Sequence, residues 1–175
     1  VNHAVSGAEF GWRFGTGKWP DYYADSLGAA VDIGVGCPTG VGSGRGAKFP
    51  ARYQRAIYVM DWTYGRIMAV HLKPEGASYN ATWENFITPA GLVKPGQPKP
   101  PLNVTDLVIG NDGAMYFTIG GRGTAAGLYR VSYTGSESTA DAWVPNKEGS
   151  EARALRHKLE WLHGRVSPGA IDFLW

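Results

Sequence analysis

Hydrophobic and polar residues alternate in short runs along most of the chain, and the clearest pair of runs lies at residues 56–72. The sequence AIYVMDWTYGRIMAVHL holds two apolar and aromatic runs that are separated by a polar and glycine break. β-Branched and aromatic residues favour strands, and glycine supplies the positive φ of a tight turn. The pattern therefore predicts two antiparallel strands joined at Tyr64 and Gly65.

The same pattern occurs again at residues 114–133, a spacing of about 58 residues. Each copy follows a shorter strand candidate, at residues 38–42 and at residues 104–109. A recurring all-β unit of this length is typical of the blades of a propeller. The chain is therefore predicted to carry two blades, which are too few to close a ring.

Two further stretches complete the predicted β pattern. Residues 79–87 favour an outer strand, because Tyr79, Ala81 and Trp83 alternate with polar residues. Residues 111–113 read Asn-Asp-Gly, whose side chains tolerate the backbone angles of a hairpin turn.

From Ser150 onward the apolar period becomes helical. Ser150 is predicted to cap a helix, Gly164 is placed as its C′ residue, and Ser167 with Pro168 is predicted to start a second helix. The apolar stripe of the first helix is Ala152, Leu155, Leu159 and Leu162. Two interpretations remain open: the first unit of a helical repeat array, or a helical hairpin that packs on the β domain.

The predicted fold is all-β with a short α-helical hairpin at the end. Residues 1–135 are predicted to hold a blade end and two blades, residues 136–149 a linker, and residues 150–175 the start of a HEAT-like region. The first residues lack the charged and apolar regions of a signal peptide, and residues 171–175 end on apolar side chains without a cap. We therefore expect an internal piece of a longer protein.

Composition narrows the function classes. Of 175 residues, 43% are hydrophobic and 13% aromatic, which is ample for a packed core. The formal net charge is +2 and no basic run is interleaved with aromatics, so no nucleic-acid partner is expected. Cys37 is the single cysteine, which excludes an internal disulfide and a two-cysteine haem motif. No His, Cys or carboxylate spacing predicts a structural zinc site.

Several segments agree, in order, with those of one protein family. They are the Val-Asn-His, Gly7 and Glu-Phe-Gly-Trp positions of residues 1–12, the Pro-Thr-Gly of 38–40, the turn at 46–50, the hairpin at 57–72, and residues 106–116 and 127–131. Over residues 1–133 the chain resembles the soluble glucose and sorbosone dehydrogenase family of quinoproteins. The resemblance implies a six-bladed β-propeller that oxidises sugars with pyrroloquinoline quinone and calcium.

A propeller followed by helices further resembles large bacterial membrane-associated dehydrogenase-like proteins that carry helical repeats and a c-type cytochrome domain. The resemblance then implies about the last two blades of six. It also implies certain partners: the remaining blades, a cytochrome c domain as electron acceptor, and a small sugar or alcohol as substrate. The implied location is periplasmic or otherwise extracytoplasmic, with membrane association through parts outside this chain.

The resemblance places the cofactor contacts at three positions. In the family a lysine before the hairpin turn and two arginines before the next blade hold the quinone, and cations are needed because the quinone is a tricarboxylate. Those positions here are Thr63, Asn103 and Thr105, and none is charged. The candidates for replacing the charge are Arg13, Arg66 and Arg122. The family's general base and main calcium contacts would lie before Val1.

Other residues of the hairpin turns are candidates for chemistry. Arg122 lies in Gly-Gly-Arg-Gly, where glycines permit close approach of an anion; the alternative is a solvated hairpin tip. Asp61 is a candidate catalytic base, sugar-hydroxyl acceptor or metal ligand, or it bonds to the backbone where the strand ends. Trp62 and Tyr64 are candidates for stacking on a sugar, or they belong to the core.

Two functions follow as expectations. The leading one is part of a quinone-dependent sugar or alcohol dehydrogenase-like oxidoreductase. The competing one is a non-catalytic propeller scaffold that binds glycans or protein partners, and the missing cations favour it.

Overall fold

The structure is a computed structural model that describes residues 1–10, 26–89, 102–142 and 147–174. The chain divides into two compact units. The first unit comprises residues 1–32, 73–80 and 146–175, and the second comprises residues 33–72 and 81–145.

Two antiparallel β-sheets dominate the structure. The strands are β1 (Pro38–Ser43), β2 (Ile57–Asp61), β3 (Arg66–Glu75), β4 (Ser78–Ile87), β5 (Val104–Ile109), β6 (Met115–Gly121) and β7 (Thr124–Val131). The first sheet has the order β1-β2-β3-β4 and the second has the order β5-β6-β7. The chain is therefore mostly β, as the sequence predicts.

The strands lie where the sequence pattern places them. The first hairpin turns at Gly65, whose φ of 63° is one that glycine adopts readily. The turn before β6 has Gly113 at a φ of 80°, and its N–H donates to the carbonyl of Gly110 at 2.8 Å. In β4, Tyr79, Ala81 and Trp83 are half-buried and alternate with the exposed Ser78, Asn80 and Thr82, as predicted, whereas Glu84 after them is also half-buried.

Three helices are present among the described residues. They are α1 (Ala51–Gln54), α2 (Ser150–Trp161) and α3 (Ala170–Leu174). Both C-terminal helices were predicted, and Gly164 has the positive φ of 68° expected beyond the end of the first. The predicted start of the second at Ser167 and Pro168 was wrong, because α3 begins at Ala170. Ser150 is not the cap: Gly149 occupies that position at a φ of 66°, so the prediction was wrong by one residue.

Helix α1 was not predicted. Pro50 immediately precedes it, and a single helical turn carries too short a periodic pattern to be recognised. Its last residue, Gln54, is buried, and its side-chain amide donates to the carbonyls of Phe49 and Ala140, both at 2.8 Å. Because a buried amide needs hydrogen-bond partners, these bonds hold α1 against the segment at Ala140 within the second unit.

The first unit contains α2, α3 and the described part of residues 1–32. Residues 1–10 form no strand. The N-terminal ammonium donates to the carbonyl of Val31 at 2.7 Å, and the Ser6 backbone N–H donates to Glu160 of α2 at 3.3 Å. None of the helices in the described ranges is long and apolar enough to cross a membrane.

The first three strands of the two sheets repeat one arrangement, including one register shift, while the β6–β7 pairing has a further shift between Ile119 and Gly121. The β1–β2 pairing shifts register between Pro38 and Gly40, and the β5–β6 pairing does so between Val104 and Asp106. Equivalent cross-strand pairs are Tyr58–Ala69 and Tyr116–Arg130, and then Met60–Ile67 and Thr118–Leu128. We call the face that carries Tyr58 or Tyr116 the tyrosine face of its sheet, and the other face the opposite face.

The core lies between the tyrosine face of the first sheet and the opposite face of the second. Its buried members include Tyr58, Met60, Ile67, Ala69, Val104, Met115 and Phe117. A Cβ at Gly42 would lie 2.7 Å from Leu107, so glycine lets the two sheets approach closely here. Burial of each large side chain in such a core stabilises the fold by about 1.5–3 kcal/mol.

Candidate functional site

Asp61 is the last residue of β2, and both oxygens of its carboxylate accept hydrogen bonds from the protein. The side chain is 1% exposed. Oδ1 accepts hydrogen bonds from the backbone N–H groups of Cys37 and Thr63, both at 3.1 Å, and of Tyr64 at 3.3 Å. Oδ2 accepts from Nε of Arg66 at 3.2 Å. Asp61 thus makes the side-chain to backbone bonds that were one of its two interpretations.

The guanidinium of Arg66 is likewise already engaged in contacts within the protein. Besides its ion pair with Asp61, its Nη2 donates to the carbonyl of Ile33 at 3.4 Å. Its guanidinium carbon lies 5.5 Å from the ring centre of Tyr64 and 5.4 Å from that of Trp83. A cation that is already neutralised and packed between rings offers little to an added anion.

A closed network of hydrogen bonds joins three of the predicted segments. The side-chain amide of Asn103 donates to the carbonyl of Trp62 at 2.8 Å. The indole N–H of Trp62 donates to the carbonyl of Gly120 at 2.8 Å, and the Gly120 N–H donates to the carbonyl of Asn103 at 3.0 Å. The first hairpin turn, the segment before β5 and the second hairpin turn therefore meet. We call Trp62, Asn103, Gly120 and Arg122 the turn cluster.

Asn103 leaves one polar atom unsatisfied. The residue is 5% exposed, and its Oδ1 has no hydrogen-bond partner among the described residues. Rotating the amide would place this oxygen against the carbonyl of Trp62, so the hydrogen-bond network fixes its orientation. A buried acceptor without a donor costs about 1–3 kcal/mol.

Arg122 lies at the tip of the second hairpin in an unusual backbone. Its φ is 50°, and the flanking Gly120, Gly121 and Gly123 have φ values of 144°, 92° and 79°. The exposed guanidinium lies 5.7 Å from the ring centre of Trp62. In the part of the chain that the structure describes, Arg122 pairs with no carboxylate, so its charge remains available.

The other predicted residues lie around the cluster or apart from it. Thr63 and Tyr64 are exposed in the first hairpin turn. Thr105 instead joins its hydroxyl to that of Thr118 across β5 and β6 at 2.8 Å, outside the network. Arg13 lies outside the described residues.

The cluster does not fit a tricarboxylate quinone. Several cations are needed to hold three carboxylates, and of the described candidates only Arg122 is unpaired. The free Oδ1 of Asn103 is an acceptor, which repels a carboxylate and suits a hydroxyl. Across the described ranges no group of three or more His, Cys, Asp or Glu residues is arranged to hold a metal ion.

Sequence reasoning found the side chains of this cluster and missed its backbone partners. The acceptors of the network include the backbone carbonyls of Trp62 and Gly120. Every residue has a backbone carbonyl, so the sequence does not indicate which of them accept these hydrogen bonds. Asn103 was a candidate only through the family resemblance, and no pattern in the sequence predicts that this polar residue is buried.

Comparisons with known proteins identified no relative: no protein family, no curated protein and no solved structure matches the chain.

Proposed function

We propose that the two sheets are blades of a β-propeller of the glucose/sorbosone dehydrogenase kind, and that the turn cluster binds a sugar or related polyol. The observation that carries the proposal is the buried Oδ1 of Asn103, an acceptor without a donor, in the network of Trp62, over whose ring the unpaired cation of Arg122 lies. A ligand hydroxyl donates to this oxygen, the guanidinium donates to a second hydroxyl, and the Trp62 ring packs on the apolar side of the sugar.

Binding at the turn cluster includes a small movement of the second hairpin turn. The Asn103 oxygen is closed to solvent, so a hydroxyl reaches it only when neighbouring atoms shift. The glycines on either side of Arg122 allow such a shift, because they have no Cβ to restrict the backbone. The hydrogen bond gained by Oδ1 offsets the cost of the movement.

The proposed role of this chain is binding, with no catalytic base from Asp61. Both carboxylate oxygens already accept hydrogen bonds, and removing a proton from a substrate would require the Arg66 pair to open. A non-catalytic scaffold that binds glycans therefore agrees with the geometry of the described residues.

The second candidate function is the oxidoreductase. It is favoured by the meeting of the two segments to which the resemblance assigns quinone contacts, the first hairpin turn and the segment at Asn103. Arg122, a candidate for the replacing charge, lies over the ring of Trp62 in that turn. Under this proposal the base, the calcium contacts and further cations come from other parts of the propeller. A cytochrome c domain accepts the electrons, in an extracytoplasmic location.

Calorimetric titration tests the binding proposal. The chain is titrated with glucose, with sorbitol, and separately with pyrroloquinoline quinone in the presence of calcium. We expect the sugars to bind and Arg122→Gln to weaken them by about tenfold, which is about 1.4 kcal/mol. Arg55→Gln removes another exposed arginine and is the matched control. Absence of sugar binding by the folded chain would refute the proposal.

Dye reduction separates the two functions. Quinone binding followed by reduction of a dye in the presence of a sugar would favour the oxidoreductase. Sugar binding without quinone binding would favour the scaffold, since the cluster then serves only to bind.

A further inference from the structure

The three segments that meet at the turn cluster leave one charge unpaired. Asp61 and Arg66, at the two ends of the first hairpin turn, form an ion pair at 3.2 Å. Residues 102–105 hold no charged side chain, and the second hairpin turn, residues 120–124, holds only Arg122. Arg122 contacts the ring of Trp62 and pairs with no carboxylate among the described residues. These segments therefore present a net positive charge, which attracts an anionic ligand.

The guanidinium of Arg122 lies over a ring that is itself hydrogen-bonded. Its central carbon is 5.7 Å from the ring centre of Trp62, and the indole N–H of Trp62 donates to the carbonyl of Gly120 at 2.8 Å. Stacking on an aromatic face restricts the guanidinium before a ligand binds. Its planar fork of N–H donors matches a carboxylate, with which it forms two parallel hydrogen bonds. Arg122 is therefore suited to one carboxylate group.

Asn103 sets a different requirement in the same network. Its amide nitrogen donates to the carbonyl of Trp62 at 2.8 Å, and its buried Oδ1 is an acceptor without a donor in the part of the chain that the structure describes. The backbone carbonyl of Asn103 accepts from the N–H of Gly120 at 3.0 Å, and Gly120 lies close to Arg122 in the second hairpin turn. The cluster thus combines an acceptor that suits a hydroxyl with a cation that suits an acid.

We propose that the ligand of the turn cluster is a sugar acid with one carboxylate, of the uronate type, and that Arg122 determines this specificity. The carboxylate pairs with Arg122 in place of the second hydroxyl, another hydroxyl donates to Oδ1 of Asn103, and the sugar ring packs on Trp62. This specificity rests on the proposed binding function and narrows its ligand class. Hydrogen bonds between charged groups are roughly twice as strong as neutral ones, so the acid binds more tightly than the neutral sugar.

A second carboxylate has no cation to pair with in the three segments. Arg66 is already paired with Asp61, and the free Oδ1 of Asn103 repels a carboxylate. A sugar diacid is therefore expected to bind no more tightly than a monoacid.

Calorimetric titration of the chain with matched ligands tests the specificity. Glucuronate and glucuronamide have almost the same shape, and only glucuronate is charged at neutral pH. We expect glucuronate to bind about tenfold more tightly at low salt, and high salt to remove most of this difference by screening the exposed Arg122. Acetate supplies the carboxylate without the hydroxyls and is expected to bind much more weakly. Glucarate, which has two carboxylates, tests the preference for a monoacid.

Variants at Arg122 show whether its charge makes the difference. We expect Arg122→Gln to bind glucuronate and glucuronamide equally. Arg122→Lys is expected to keep part of the preference, because lysine retains the charge and lacks the planar fork. Arg55→Gln removes another exposed arginine and is expected to keep the full preference. Arg122 is exposed at a hairpin tip, so both of its variants are expected to fold.

The results separate this specificity from the sugar site itself. Equal binding of glucuronate and glucuronamide would overturn the acid specificity and leave the sugar site standing. A preference that persists in Arg122→Gln would assign the recognition of charge to another group, and acetate that binds as tightly as glucuronate would reduce the site to an anion site. Either result would overturn the proposal. Failure of every sugar to bind the folded chain would refute the sugar site as well.

Free and polymer-linked sugar acids share this chemistry, and chain length distinguishes them. Tighter binding of an oligogalacturonate than of galacturonate would identify an acidic polysaccharide as the source. Equal binding would identify the free acid, and both results support the acid specificity.

Discussion

At the scale of single residues, Asp61 matters for stability because one carboxylate organises a whole turn. Replacing it with alanine leaves three backbone N–H groups without their acceptor and Arg66 without its ion pair. Removing one partner of a buried ion pair costs about 3–5 kcal/mol. We expect Asp61→Ala to lower the free energy of unfolding by about 3 kcal/mol in urea denaturation.

Asp61→Asn is the matched variant. Asparagine keeps an oxygen for the backbone N–H groups and loses the charge that pairs with Arg66. We expect a smaller loss, of about 1–2 kcal/mol. Equal stability of the alanine and wild-type proteins would show that the carboxylate does not organise the turn.

Asp112 provides a pH-dependent prediction. Hydrogen bonds from Arg130, from the Ala114 N–H and from the Tyr116 hydroxyl lower its pKa from 3.8 to about 2. A depressed carboxylate pKa stabilises the fold above the unfolded value, and this contribution is lost as pH falls from 3.8 toward 2. We expect Asp112→Asn to unfold at lower urea than the wild type at pH 7.

The pH series checks the assignment. The difference in urea midpoint between wild type and Asp112→Asn is expected to shrink between pH 4 and pH 2, because the wild-type carboxyl becomes neutral there. A difference that stays constant over this interval would mean that the charge of Asp112 does not contribute.

At the scale of elements, the two glycine turns of the first sheet differ in their surroundings. Gly65 and Gly76 both have a positive φ, of 63° and 53°. A Cβ at Gly65 would lie 2.6 Å from the backbone N of Leu102, whereas nothing lies within 4 Å of one at Gly76. We expect Gly76→Ala to lower the free energy of unfolding by about 1 kcal/mol, because alanine is strained in the left-handed backbone conformation. We expect Gly65→Ala to lower it by more than twice as much, because the close contact with Leu102 adds to this strain.

Thermal or urea unfolding of the two variants measures this difference. Gly76→Ala is the control, since it carries the backbone strain without the close contact. Similar losses for the two variants would indicate that the first hairpin turn does not pack on Leu102 in solution.

The strands were predictable because each carries its own local signal. Alternating apolar residues and the turn glycines at Gly65 and Gly113 suffice to place β2, β3 and the β5–β6 turn. Helix α1 has only four residues and therefore no period. The hydrogen bonds of the turn cluster were not predictable, because they join Trp62, Asn103 and Gly120 through backbone carbonyls that are distant in sequence.

Helix α2 and the N-terminal residues form a second pH-sensitive element. His3 accepts from Nη1 of Arg156 through Nε2 at 3.1 Å, and its Nδ1 lies 3.1 Å from the Ser78 hydroxyl. Burial and then the charge of Arg156 lower the pKa of His3 below 6.5, with His157 acting in the same direction and Glu160 opposing. The stabilisation is therefore present above pH 6.5 and is lost as pH falls below it.

Amide hydrogen exchange measures this loss. We expect the protection factors of residues 1–10 to fall between pH 7.5 and pH 5 in the wild type. His3→Gln keeps an acceptor for Arg156 and does not titrate, so its protection factors are expected to stay constant. A parallel fall in both proteins would assign the effect to another group.

At the scale of the whole molecule, the sequence repeat is also a structural repeat. The β1–β2 and β5–β6 pairs share a register shift, and Tyr58 and Tyr116 occupy equivalent positions. The two copies differ in how fully their tyrosine faces are covered, since Tyr58 and Ile67 are 0% exposed whereas Leu128 is 70% exposed. The turn cluster lies where the two copies meet, since Trp62 belongs to the first and Gly120 to the second.

The most direct test of the ligand-binding claim is a nuclear magnetic resonance titration of the chain with glucose. Trp62 is the reporter, because its indole N–H bonds to Gly120 within the turn cluster. We expect this indole signal and the amide signals of residues 120–123 to shift together and to saturate, and Arg122→Gln to weaken the response. Saturating shifts confined to other parts of the chain, or none at all, would contradict the claim.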